Sequence, residues 1–223
     1  GVFAIRGAKR ETYSHSRYQL LISQTEGLKK MAISQELLAQ ASQFGEELIA
    51  LRRALHQEPE FALDLPKTQE KILKAIDGLG EITLGKNLTS IVLVIEGANP
   101  GPTVLLRADM DALSVQEETG LEFASTNGFM HACGHDLHMA SGVGAAKLLH
   151  QNKDKLSGKV AIWFQPGEEG HHGADVMIEE GMLEITGERP VAAYGLHVFT
   201  ALPLGAITTK PGAMMASAGD LHA

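Results

Sequence analysis

The spacing of apolar residues predicts helices at the start of the chain. Apolar side chains recur every three to four positions from residue 37 to Leu55, and this periodicity is typical of an amphipathic helix. Ser34 offers a helix N-cap and Pro59 a stop, so we expect one helix between them. A second helix is expected from Pro66, which suits a first-turn position, to Gly78.

The pattern then changes to short apolar runs without alternation, which are typical of strands covered on both faces. Four segments have this character: 90–95, 103–106, 158–164 and 191–196. The third and fourth are preceded by helical stretches near 141–151 and 173–180. Strands that alternate with helices predict an α/β fold, here a three-layer α/β/α domain with a mixed, largely parallel sheet.

The composition of the chain bears on its binding partners and on its cellular compartment. The chain has 223 residues and a formal charge of −8, which argues against nucleic acid or an anionic membrane as the main partner. No apolar run approaches the roughly 18 residues of a membrane-spanning helix. One cysteine in the whole chain fits a reducing compartment, so we expect a cytoplasmic protein.

The two ends differ from the middle. Residues 1–30 are rich in Arg and Lys and poor in acids, and we expect a leader that is disordered or not native, with Met31 as a candidate true start. An organellar transit peptide is the alternative interpretation. Residues 31–213 are then expected to form the folded part.

Polar motifs follow three of the predicted strands. Segment 107–111 contains Asp109 and Asp111, segment 165–170 contains Glu168 and Glu169, and His197 ends the last strand. Chemistry in such folds gathers where strands end, so we expect these groups to meet at one edge of the sheet. Any one of them alone could be a solvated polar residue at the protein surface.

Segment 131–138, His-Ala-Cys-Gly-His-Asp-Leu-His, concentrates one thiol, three imidazoles and a carboxylate in eight residues. Cys133 is the only cysteine, so it makes no internal disulfide, and Cys133 and His135 at this spacing can converge on one metal ion. A buried thiol beside core histidines is the competing interpretation. We favour a metal site, because Cys, His and acids gather at such sites.

Adjacent Glu168 and Glu169 follow a Pro-Gly turn, where both side chains can point into one site. One would bind metal while the other transfers protons between a metal-activated water and the leaving amine. Two solvated glutamates near a helix start are the alternative.

Four segments together resemble a known family: 107–113, 131–136, 165–170 and 195–197. They are similar in order and spacing to the motifs of the N-acyl-amino-acid amidohydrolase, hippurate hydrolase and N-acetyldiaminopimelate deacetylase family of metallopeptidases. Leu51–His56, with Pro59 and Glu60, resembles the first helix of that family. The resemblance runs from about Glu46 to the end and implies hydrolysis of the amide bond in small-molecule N-acyl amino acids.

The resemblance also implies residue roles. Cys133 would bridge two divalent ions, Zn²⁺ or Mn²⁺, with His135 and His197 on one ion and Glu169 on the other. Glu168 would be the general base and acid. Asp111 would orient a ligand.

The resemblance assigns no metal ion to three other residues of these segments. Asp109 stands where more distant relatives have a histidine ligand, and His135 takes over that duty here. His131 and His138 are assigned as structural or supporting residues.

The family has a lid domain that often dimerises, followed by a returning catalytic half that supplies a further histidine. Residues 214–223 resemble the crossing into that lid, so we expect a fragment that lacks one ligand and could be inactive alone. Homodimerisation would belong to the full-length protein. A non-catalytic metal-binding relative is the rival hypothesis, and the presence of Glu168 favours an enzyme.

Overall fold

The computed structural model describes residues 2–5 and 29–214. Its strands are β1 Val2–Ile5, β2 Glu81–Leu84, β3 Ile91–Glu96, β4 Asn99–Asp109, β5 Ser157–Gln165 and β6 Ala192–Leu196. Its helices are α1 Lys29–Ser42, α2 Gly45–Gln57, α3 Pro66–Ile76, α4 His135–Gln151 and α5 Gly173–Glu179, with short 3-10 turns at Lys153–Lys155 and Met182–Glu184.

The strands form one mixed sheet in the order β1-β6-β4-β5-β3-β2. Strand β4 runs parallel to β5 and β6, whereas the β1–β6, β3–β5 and β2–β3 pairs are antiparallel. The mixed α/β fold is confirmed, but the expectation of a largely parallel sheet is wrong. Only residues 97 and 98 join β3 to β4, too short a link for a parallel crossover, so β3 runs opposite to β4 and pairs with β5 between them.

Helices cover both faces of the sheet, as the predicted three-layer architecture requires. Ile91 and Leu93 of β3 pack with α2, α3 and α4 in the larger core cluster. Val92, between them, faces the other side and packs with Trp163 of β5 and Met177 of α5. Both faces of the strand are therefore buried, which explains why its sequence is an unbroken apolar run.

The helix between Ser34 and Pro59 is divided in two, contrary to the prediction. Helix α1 begins at Lys29, so Ser34 lies inside it, and the chain turns at 43–44 before α2 begins at Gly45. Glycine disfavours helix interiors, which fits a break at this position. Helix α3 begins with Pro66 at its first turn, as predicted.

Parts of the predicted ends fall outside the described residues. Of the predicted leader, β1 and the first residues of α1 are described. The expected crossing into a lid, 214–223, lies outside the description apart from Met214. Within residues 2–5 and 29–214, no helix is long and apolar enough to cross a membrane.

The topology brings the polar motifs together. Because β4, β5 and β6 are parallel, their carboxyl ends meet at one edge of the sheet. Helix α4, which packs on β4, begins at that edge with His135. The motifs that follow these three strands therefore surround the first turn of α4.

Candidate metal centre

The turn before α4 places Cys133 and His135 on the same side. Gly134 adopts a left-handed backbone with φ of 89°, which favours glycine, and a Cβ there would overlap the side chain of Val198. The segment after β6 thus lies directly on this turn. This packing brings His197 to Cys133.

The hydrogen bonds of His135 fix which ring nitrogen faces the site. Its Nδ1 lies 2.8 Å from the carbonyl oxygen of Asp111, which can only accept, so Nδ1 carries a proton. Its Nε2 is buried and has no hydrogen-bond partner. That nitrogen lies 3.7 Å from Oε2 of Glu168 and 3.9 Å from Oε1 of Glu169. A fixed Nδ1–H that leaves Nε2 available is the usual arrangement of a metal-binding histidine.

Cys133 and His197 form the second part of the centre. The Sγ of Cys133 lies 3.4 Å from Nε2 of His197, and Nδ1 of His197 donates to the carbonyl oxygen of Val198 at 2.6 Å. Ligand atoms of Cys133, His135 and His197 all lie within 4.8 Å of one another. One thiol and two imidazoles at this separation could hold one ion.

Asp111 holds the turn that carries the two glutamates. Its Oδ1 accepts the backbone N–H of Glu168 and its Oδ2 that of Glu169, each at 3.0 Å. Burial raises the pKa of Asp111, but hydrogen bonding with His135 and with these two amides outweighs burial and lowers the pKa overall. Asp111 is therefore an ionised anchor that links the glutamate pair to His135.

The electrostatics of the cluster favour a bound cation. Burial alone would lower the pKa of His135, but its contacts with Asp111 and Cys133 and the charge of Asp109 raise the pKa to about 11. Burial also raises the pKa of Glu168, and the charges of Asp109 and Glu169 raise it further. The charge of Asp109 contributes to both shifts.

Asp109 and His138 form a third group with His135, again with ligand atoms within 4.8 Å. Nδ1 of His138 lies 3.3 Å from Oδ2 of Asp109, and the backbone N–H of Val198 donates to its Nε2 at 3.1 Å. Burial lowers the pKa of His138 below its usual value, and the opposing effect of Asp109 does not reverse this shift. The guanidinium of Arg107 also contacts Asp109.

His131 behaves differently from the other histidines of its segment. It is 4% exposed, and neither ring nitrogen has a hydrogen-bond partner. Burial lowers its pKa to about 4, so the ring is neutral at pH 7. Among the described residues, the three groups of converging ligand atoms do not include it.

A buried charge network behind the centre was not predicted. His56 places Nδ1 2.8 Å from Asp136 and Nε2 3.0 Å from Glu117, and Arg52 also contacts Asp136 at 2.7 Å. Asp136 follows His135 in the first turn of α4. The available signal was a histidine and an arginine at the end of an amphipathic helix that resembles a family motif.

The predicted site residues thus fall into two sets that share His135. Cys133 and His197 lie on one side, and Glu168 and Glu169, anchored by Asp111, lie on the other. Their roles as ligands and proton carrier remain predictions. The side chains of each set are close enough to act together.

Comparison with known proteins identifies the family of this chain. The model of peptidase family M20/M25/M40 matches residues 105–216. The chain is 42% identical over 175 residues to thermostable carboxypeptidase 1 of Saccharolobus solfataricus, covering 76% of this chain and 44% of the relative. It is 40% identical over 177 residues to N-acetylcysteine deacetylase of Bacillus subtilis, covering 78% and 46%.

A solved structure gives the same result. The crystal structure of a Bacillus subtilis dinuclear metal-binding peptidase from the M20 family superposes with a TM-score of 0.61 and 43% identity, covering 64% of this chain and 41% of that one. The chain therefore spans less than half the length of these three proteins. Sequence and fold together show that this chain belongs to peptidase family M20/M25/M40.

Proposed function

We propose that this chain is the metal-binding part of an amidohydrolase that cleaves the amide bond between an acyl group and an amino acid. The observation that carries the proposal is the unpartnered, buried Nε2 of His135, which lies within 4 Å of both Glu168 and Glu169. Two relatives, a carboxypeptidase and a deacetylase, support amide hydrolysis as the reaction.

The residues fit a pair of divalent ions. A buried nitrogen of His135 and a buried oxygen of Glu169 have no hydrogen-bond partner, and a cation would satisfy both. We propose that Cys133 bridges two ions, that His135 and His197 bind one, and that Glu169 binds the other. Sulfur, nitrogen and oxygen donors together suit Zn²⁺, and the imidazole and carboxylate donors also accept Mn²⁺.

Bound divalent ions would acidify a water molecule and polarise the substrate carbonyl. Glu168 is proposed to take the proton of that water at its carboxylate and return it to the leaving amine nitrogen. The raised pKa of Glu168 suits both steps, because a base with a pKa closer to neutrality is also a competent acid. Its side chain is 37% exposed against 23% for Glu169, so Glu168 faces the open side where a substrate would enter.

Asp111 would keep the two glutamates in these separate roles. Its carboxylate binds both of their backbone N–H groups, so their side chains must project from a fixed turn. Its carbonyl oxygen orients His135 at the same time. Asp111 is thus proposed as a positioning residue that contacts both sides of the centre.

Glu168→Gln tests the proposal. We expect Zn²⁺ or Mn²⁺ binding to be kept and release of the amino acid from N-acetyl and N-benzoyl amino acids to be abolished, because Gln cannot carry the proton. Exposed Glu179 in α5 provides the matched control, and Glu179→Gln should leave turnover unchanged. Full activity of Glu168→Gln would refute its role.

A further inference from the structure

His138 lies one helical turn after His135 and is 4% exposed, yet both of its ring nitrogens have partners. The backbone N–H of Val198 donates to Nε2, so Nε2 must carry a lone pair. The ring proton then resides on Nδ1, which faces the carboxylate of Asp109. The tautomer is therefore fixed by the hydrogen bonds.

This arrangement argues against His138 as a metal ligand, although it converges with Asp109 and His135. The lone pair of Nε2 is directed at an N–H group, and Nδ1 carries its proton toward Asp109. A ligand role would require the ring to abandon the bond with Val198. In the described structure that bond is intact.

The residue whose backbone N–H binds His138, Val198, also binds His197 through its carbonyl oxygen. Strand β6 ends at Leu196, so His197 and Val198 lie beyond its ladder. Within the described residues, the N–H of Val198 donates to Nε2 of His138, and the carbonyl of Val198 accepts from Nδ1 of His197 at 2.6 Å. That contact directs the other nitrogen of His197, Nε2, toward Cys133.

We propose that His138 is a positioning residue, which aims His197 at the metal centre because its Nε2 holds the backbone of Val198 in place. The inference rests on the proposed metal site and adds a residue that controls it without touching the ion. Loss of such a support typically weakens metal binding by about 10- to 100-fold.

Two substitutions separate the ring nitrogens. His138→Gln places an amide oxygen near the position of Nε2 and can still accept from Val198. His138→Asn reaches only the position of Nδ1 and can still donate to Asp109. We expect His138→Gln to keep Zn²⁺ affinity within about 3-fold of wild type and His138→Asn to lose about 10- to 100-fold. Competition with a chromogenic chelator measures both affinities on the purified chain.

A thermodynamic cycle with His197→Ala tests the route. If His138 acts through His197, His138→Asn should cause no further loss of Zn²⁺ affinity in the His197→Ala background. Equal losses in the Gln and Asn variants, or additive losses in the double variant, would overturn the inference. So would unchanged affinity in His138→Asn.

Two controls separate the possible failures. Urea unfolding of each metal-free variant identifies a loss of affinity that comes from misfolding. If His138→Asn fails to fold, the Zn²⁺ affinity of His138→Gln still distinguishes a positioning residue from a ligand, because a ligand replaced by Gln should lose binding. A wild-type chain that binds no Zn²⁺ would refute the proposed function itself. Wild-type binding with indistinguishable variants would refute only the role of His138.

Discussion

Removal of His56 should destabilise the fold, because two buried carboxylates lose the imidazole between them and one of these carboxylates, Glu117, has no other charged partner among the described residues. The side chain of His56 is 4% exposed and those of Asp136 and Glu117 are fully buried. Its two nitrogens face one carboxylate each. After His56→Ala, Asp136 keeps Arg52, whereas Glu117 keeps only the N–H of Ser125 and the hydroxyl of Thr119 among its described partners.

The expected loss of unfolding free energy follows from the two hydrogen bonds that His56→Ala removes. Two hydrogen bonds to charged groups contribute about 1.5–3 kcal/mol each, which agrees with the cost of about 3–5 kcal/mol for removing one partner of a buried ion pair. A domain of this kind has a total unfolding free energy of about 5–15 kcal/mol. His56→Ala should therefore remove a large part of the stability of the chain.

Urea unfolding at pH 7 measures this effect. Trp163 is the only tryptophan and is 4% exposed in the sheet, so its fluorescence reports unfolding of the core. Glu117→Gln is the matched control, because the Gln side chain has the same shape and its amide can still make a hydrogen bond with Nε2 of His56. It should cost only about 1–2 kcal/mol, the difference between a charged and a neutral hydrogen bond. Equal costs for the two variants, or a loss below about 1 kcal/mol for His56→Ala, would refute the reasoning.

The contact between His56 and Glu117 also predicts that the stability of the fold depends on pH. Burial raises the pKa of Glu117, but hydrogen bonds from Thr119, Ser125 and His56 lower it overall below its usual value of 4.5. A lowered pKa contributes stability that is present above about 4.5 and is lost as the pH falls through the folded-state pKa. The advantage of wild type over Glu117→Gln should therefore shrink below pH 4.5. A constant difference in unfolding free energy down to that folded-state pKa would contradict this assignment.

Two further substitutions test the site and its support. Asp111→Asn presents an amide N–H₂ to one of the two N–H groups of Glu168 and Glu169, so Zn²⁺ affinity should fall about 10- to 100-fold; unchanged affinity by chelator competition would exclude the anchoring role. Gly142→Ala adds a Cβ 3.0 Å from the ring of Phe164 and 3.2 Å from Ala108, so unfolding should show a loss of about 1–3 kcal/mol from overpacking, partly offset by helix propensity. Gly45→Ala, with nothing within 4 Å of its added Cβ, should be neutral or stabilising, and equal effects at both glycines would contradict the close packing of α4 on the sheet.

Much of the site could be predicted because it depends on topology. Apolar runs identified β4, β5 and β6, and their parallel pairing brings Asp111, Glu168 and His197 to one edge. The segment from Cys133 to His135 added the start of α4. Periodicity and strand ends are properties of the sequence itself, so these expectations needed no coordinates.

The supporting contacts could not be predicted in the same way. His56 and Glu117 are 61 residues apart, and His56 and Asp136 are 80 apart, so no local pattern links them. The partner of His138 is a backbone N–H, which every residue except proline possesses and which therefore leaves no trace in the sequence. Strand β2 was not predicted from the sequence, because it is a four-residue edge strand with exposed ends.

The most direct test of the central claim is a Co²⁺ titration of the chain, observed in the absorption region of thiolate-to-cobalt charge transfer. Cys133 is the only cysteine, so such a band can come from no other residue. The proposed centre predicts that the band appears on Co²⁺ binding in wild type and is absent in Cys133→Ser. Saturating Co²⁺ binding without this band would show that Cys133 is not a ligand and would contradict the proposed metal centre.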